Sequence, residues 1–147
     1  MKHTIFFLLL LFFQNTLIAE TTPPSKIDNR EFPKEELQKQ KIHIAQMVAK
    51  EIAKSLPQKV DKYTRLVNVK SDNAFLIYTF ELNVPSKSDA EIIKEDHSRM
   101  QRAITEGVCQ SSEKFLSAGI NTRYIYKSAK SKKELFRFDI TRDRCKL

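Results

Sequence analysis

The apolar positions divide the chain into segments of different period. Ile5 to Phe13 is an unbroken run of nine apolar residues. It follows Met1-Lys2-His3 and is closed by Gln14 and Asn15. A cationic start, a short apolar run and a small residue near position 20 are the parts of a secretory signal peptide. The run is too short for a spanning helix, which needs about 20 apolar residues. The expected organisation is a signal peptide over 1–19 cleaved after Ala19, an extended Pro-rich leader over 20–33, and one domain over 34–147.

From Pro33 to Leu56 the period is helical. Leu37, Ile44, Val48 and Ile52 form the expected inward stripe, with Ala45, Ala49 and Leu56 beside it. Pro57 is the stop, because the residue before a proline disfavours helical geometry. Tyr63 to Lys70 then reads as a strand, Ser71-Asp72-Asn73 as a turn, and Phe75 to Val84 as a strand with Leu76, Tyr78, Phe80, Leu82 and Val84 on one face.

Ser88-Asp89-Ala90-Glu91 has the capping-box spacing, in which the serine oxygen takes an orphan amide and the glutamate reaches back. Ile93, His97, Met100 and Ile104 follow at helical spacing, widened by Ile92, Ala103 and Val108, with Gly107 as an end or kink. Ser111 to Ala118 reads as a short third helix closed by Gly119 as a left-handed cap, with Ile120 as its apolar contact. A second hairpin follows, with Tyr124 and Tyr126 on one strand and Phe136, Phe138 and Ile140 on the other. The predicted fold is α+β and two-layered: a largely antiparallel four-stranded sheet under two main helices and one short one, in the order α-β-β-α-α-β-β.

Composition narrows the classes. The chain of 147 residues is 41% apolar and 30% charged, with 2 glycines, 5 prolines and 2 cysteines. That is too apolar for a disordered chain, and the cysteines are too few for a disulfide miniprotein or a four-cysteine zinc module. The net charge is +8, and losing 1–19 removes one lysine and no acid, leaving +7. Such a charge draws a protein toward anionic surfaces.

Cys109 and Cys145 are an even pair in a chain expected to be exported, and they are expected to form one disulfide tying the last strand to the helical layer. His43 and His97 lie on different predicted helices with no second ligand at i+4, and His97 is expected at the core boundary. There is no G-x-S-x-G elbow and no glycine-rich phosphate loop. Neither a cofactor nor a metal is expected, and the chain is expected not to be an enzyme. Lys127, Lys130, Lys132 and Lys133 flank the last hairpin loop, and are either a solvated face or contacts to an anionic ligand. Specific nucleic-acid binding is not expected, since Tyr124 and Tyr126 are placed in the core rather than between the charges.

The succession Leu56-Pro57-x-x-Val60-Asp61-x-x-Thr64-Arg65-Leu66, then Cys109, then Leu116-x-x-Gly119-Ile120, then Tyr124-x-Tyr126, then Cys145 resembles a small exported family of Gram-negative bacteria. That family is labelled quorum-sensing-regulated virulence factors. The resemblance implies an exported α+β domain with two cysteines and implies no reaction. Within the motif, Asp61, Thr64 and Arg65 are expected to bracket the first helix to the first strand, Arg65 pairing with Asp61 or Glu81; the other reading is a ligand-binding set. The expected function is a small, monomeric, non-enzymatic binding protein of the periplasm or the exterior, for a protein partner or an anionic envelope polymer. An effector acting on a host or rival cell is the alternative, and a small hydrolase a remote one.

Overall fold

Helix α1 spans Lys34–Ala53 and begins on Pro33, whose carbonyl accepts from the Glu36 and Leu37 amides. The computed structural model describes residues 33–145, which fall within the unit Phe32–Leu147. The expected signal peptide, and the leader up to residue 32, lie outside the described residues. Three tightened turns follow α1, the amides of Lys54, Ser55 and Leu56 donating three residues back, before Pro57 ends the run.

The strands are β1 (Gln58–Lys59), β2 (Thr64–Asp72), β3 (Phe75–Leu82), β4 (Asn121–Ser128) and β5 (Glu134–Ile140). They form one sheet in the order β1-β2-β3-β4-β5. This corrects the expected four strands and the expected order. Two-residue β1 carries no alternation to read, and exists because the chain folds back on β2, Gln58 opposite Leu66. A second difference is in direction: β3 and β4 run parallel, while the other pairs are antiparallel. The crossover between them is long enough to carry helices α2 (Asp89–Ser111) and α3 (Glu113–Ser117), as a parallel connection requires.

Ser88 caps α2 as its spacing predicted: its oxygen accepts from the Glu91 amide, and the Glu91 carboxylate accepts from the Ser88 amide. Ser88→Ala is expected to cost about 1 kcal/mol, read as a lowered urea midpoint at unchanged slope. Gly107 does not end α2; it lies inside the helix with open space where a Cβ would be. Gly119 does act as the cap. Its φ is +79°, its amide donates to Leu116, and the Ile120 amide reaches back to Phe115, the paired bonds of a Schellman ending. Gly119→Ala is expected to destabilise by about 1 kcal/mol through the left-handed backbone alone. The added methyl would also crowd the Lys41 Nζ, 2.8 Å away, but that flexible end can move.

Both helices cover one face of the sheet, α1 over β2 and β3, α2 over β5. The inward positions differ from the periodic stripes. On α1 the buried residues are Ala45 and Ala49, whereas Leu37 and Ile44 are 41% and 36% exposed. On α2 they are Ile92 and Val108, whereas Ile93 is 42% exposed and Ala103 and His97 are on the surface side. Small alanines let α1 approach the sheet closely, so the seam turns toward them and the larger residues shift outward. His97 is exposed rather than in the core, with its ring 5.4 Å from that of Phe138 and 5.8 Å from that of Phe136.

Between the helices the sheet carries a ladder of rings. Tyr78 stacks on Tyr124 at 5.1 Å, and Phe80 on Tyr126 at 4.8 Å. Phe136 and Phe138 continue it on β5, opposite Tyr126 and Tyr124. Tyr124 and Tyr126 are thus core residues. Burial pushes the Tyr124 phenol up, and burial with the nearby Asp61 charge pushes that of Tyr126 up to about 12. Cys109 and Cys145 are joined, their Cα atoms 5.4 Å apart, which ties the 3-10 turn Arg142–Cys145 after β5 to the end of α2.

Candidate functional site

A cleft opens where the segment entering β2 faces the first half of α2. The segment is shaped by Asp61. Its Oδ1 accepts from the backbone amides of Tyr63 at 2.7 Å and Thr64 at 2.8 Å, while the Thr64 carbonyl accepts from the Val60 and Asp61 amides. An aspartate closing its own turn in this way offers the backbone an alternative to the ladder. Burial alone would raise the Asp61 carboxyl, but those amides and the Thr64 hydroxyl outweigh it and hold it below its ordinary value of 3.8.

The direction fixes a pH dependence. A carboxyl with a depressed folded value stabilises fully above its unfolded value and loses that contribution as pH falls through the folded one. The turn is therefore expected to loosen below about pH 4. Asp61→Asn should remove most of that acid sensitivity from the Tyr63 and Thr64 amide-exchange rates, and an unchanged acid response would count against the turn.

The motif residues divide. Asp61 and buried Thr64 build the turn that enters β2. Arg65 does not take part. It lies opposite Glu81 in the β2–β3 register, but Glu81 is held by Lys132 at 2.7 Å and Asp61 by backbone amides, so both expected partners are occupied.

Across the cleft, Asp96 on α2 is bound by Lys87 at 3.2 Å and Arg99 at 2.8 Å, its side chain 16% exposed. The hydrogen bond from Arg99 and then that from Lys87 hold its carboxyl below the usual range against the opposing effect of burial. The floor is Leu82 and Val84 of the sheet end, with Ile92 and Met100 from α2 and Tyr63 as a wall. The volume is about 430 Å³, within the range of ligand clefts. Val60, Tyr63 and Ile93, three of the large apolar residues left exposed at 57%, 43% and 42%, belong to the two segments that wall it. The site is therefore an apolar trough with a rim of both signs. Asp61 and Lys62 stand on one side, Asp96 and Arg99 on the other. The sequence singled out Asp61 and Thr64 and missed the trough, because its walls come from segments about thirty residues apart, Asp61–Thr64 and Ile92–Met100, which no local period brings together.

The lysines of the last hairpin loop have separate places. Lys130 donates to the Val84 and Pro85 carbonyls, and Lys132 pairs with Glu81. Ser131 donates to Asp89 in the first turn of α2. The loop thus bolts β4–β5 to the start of α2. Lys133 is exposed, and Lys127 lies on the sheet face away from the helices. Among the described residues no group of three His, Cys, Asp or Glu side chains converges as a metal site would, and no helix is long and apolar enough to cross a membrane.

The fold is similar to that of solved proteins. One is a Pseudomonas aeruginosa protein assigned as secreted, with TM-score 0.65 and 13% identity over 74% of this chain and 96% of that one. Another is the pilotin EpsS of the type 2 secretion system of Vibrio vulnificus, with TM-score 0.61 and 14% identity over 76% and 96%. A third is the type II secretion system pilotin AspS of Vibrio cholerae, with TM-score 0.59 and 15% identity over 76% and 98%. At such identities the likeness is one of fold. No curated protein matches the sequence. A family model does match, over residues 36–136, from within α1 to the start of β5. The chain belongs to that family, defined by the domain of unknown function DUF8479.

Proposed function

We propose that this is a small exported, non-enzymatic interaction protein that holds an amphipathic segment of a protein partner in the cleft between Asp61–Thr64 and α2. The observation that carries the reading is the trough itself. Its apolar floor of Leu82, Val84, Ile92 and Met100 is walled by exposed Tyr63, with exposed Ile93 on the adjoining segment. Exposed apolar surface rimmed by polar groups is the usual form of a protein-binding site. Burying two or three apolar side chains there contributes about 1.5–3 kcal/mol each before ordering costs. The rim charges, Asp61 and Lys62 facing Asp96 and Arg99, set the register of the segment more than its affinity.

Export is supported by the cationic and apolar start of the chain and by fold neighbours that include a protein assigned as secreted and two secretion-system pilotins. The pilotin neighbours support a role as a binding component in the periplasm or beyond it, with a protein rather than a small molecule as partner. The resemblance to the quorum-sensing-regulated family supports the same compartment, and its label names no partner.

The test is affinity capture from envelope extract of the cells that make the protein, with the parent and the Tyr63→Glu/Ile93→Glu variant side by side at low and high salt. The expected result is one exported protein retained by the parent at high salt and lost by the variant. Equal recovery by both would reject the cleft as the binding face.

A further inference from the structure

The sheet face turned away from the helices carries an independent pattern. Strand register sets its side chains in rows: Lys70, Ile77, Arg123 and Asp139; then Asn68, Thr79, Ile125 and Arg137; then Arg65, Glu81, Lys127 and Glu134. A depression of about 490 Å³ lies across these rows, and no helix residue lines it. Each carboxylate of the rows has a cation of its own. Asp139 takes Arg123 at 2.6 and 2.8 Å, Glu134 takes Arg137 at 2.9 and 3.0 Å, and Glu81 takes Lys132 at 2.7 Å.

Lys70 and Lys127 line the depression and make no ion pair among the described residues: Glu81 and Glu134, which flank Lys127 across the strands, are taken by Lys132 and Arg137. They stand diagonally apart. Their β3 neighbours, Ile77 and Glu81, are four residues distant, or about 13 Å along the strand, and two strand spacings add about 10 Å across. The floor between them is neutral: the Asn68 amide and the Thr79 hydroxyl beside the C–H surfaces of Val67 and Ile125.

We propose that this face binds a segment of an acidic polysaccharide, with anionic groups several sugars apart along the chain reaching Lys70 and Lys127. The backbone spacing favours a chain carrying several anionic groups over a single phosphate or headgroup, since the two lysines rise from points two strands and four residues apart. Nucleic acid is disfavoured, since base stacking needs open rings and the ring of this face, Phe75, sits beneath the Arg123 guanidinium at 5.2 Å. A sugar suits the floor because its hydroxyls both donate and accept, as Asn68 and Thr79 do, while its C–H face meets Val67 and Ile125. Two cations with unused valence in a hollow focus field toward such a chain.

The experiment is calorimetric titration of the full chain with a heparin-derived hexasaccharide. A dextran oligomer of the same length, a poly-glutamate peptide and anionic phosphatidylglycerol vesicles serve as competing probes. The hexasaccharide is expected to bind and dextran not to. Lys70→Gln/Lys127→Gln should weaken binding about tenfold or more, two charge-assisted contacts being lost. Lys50→Gln/Lys114→Gln, an equal charge change at exposed lysines elsewhere, should change it less than twofold. Amide shifts at Asn68, Thr79 and Ile125 should accompany binding in the parent. Tyr63→Glu/Ile93→Glu should leave it intact, which separates this face from the cleft. Equal weakening by the two lysine pairs would overturn the proposal, as would poly-glutamate or vesicles binding as tightly as the hexasaccharide.

Discussion

Phe138→Ala is expected to destabilise the domain by about 3–5 kcal/mol, the usual cost of deleting a buried ring. Phe138 is 3% exposed on β5, with the rings of Phe136, Tyr126 and His97 at 5.8, 6.2 and 5.4 Å. Its loss opens a cavity at the place where the sheet ladder meets α2. Its strand neighbours Phe136 and Ile140, which would have to collapse into it, are fixed in register opposite Tyr126 and Thr122. Against a net stability of about 5–15 kcal/mol, the change removes a large share. Urea unfolding would show it as a lowered midpoint with the slope retained. A loss under about 1 kcal/mol would mean that the ladder does not carry the core.

Breaking the Cys109–Cys145 link is the second large effect. The two residues are 36 apart in sequence, and closing a loop of that size removes unfolded-state freedom worth roughly 4 kcal/mol, of which real bridges deliver about 2–4. For a domain of this size the melting temperature is expected to fall by about 10 °C or more on reduction or in the double change to serine. The link also anchors the chain after Ile140, so hydrogen exchange should rise first in Arg142–Cys145 and at the end of α2. A double-serine variant as stable as the parent would contradict the assignment.

Much of the α+β layering was legible because it rests on strong local signals. The Ser88–Glu91 capping box, the Gly119 cap and the alternation of Phe136, Phe138 and Ile140 each state one geometry in a few residues. Topology was not legible in the same way. Helices α2 and α3 between β3 and β4 fit either an antiparallel return or a parallel crossover, and only packing selects the parallel one. The short strand β1 escaped because two residues have no period. The candidate cleft escaped for a different reason. Periodicity says which residues share a helix face, but not which edge of that face meets the sheet. At α1 the small Ala45 and Ala49 take the seam, and at α2 Ile92 takes it in place of Ile93. What is left over, Ile93 on α2 and Val60 and Tyr63 before β2, stays exposed beside the trough, and Tyr63 is the one of the three that lines it. Of the motif, Asp61 was readable as a turn former from residue chemistry, whereas the idleness of Arg65 follows from Lys132 reaching Glu81 from a loop 51 residues away.

The central claim is that the cleft beside Asp61 holds a protein partner. Site-specific photo-crosslinking in living cells tests it most directly, with a photoreactive residue placed in turn at Tyr63, at Ile93, and at exposed Lys50 on α1 as the reference position. The account predicts adducts at positions 63 and 93 with one and the same exported protein, through one contiguous segment of it, and none at position 50. Adducts of equal yield at all three positions, or none at 63 and 93 while the protein remains folded and exported, would contradict it.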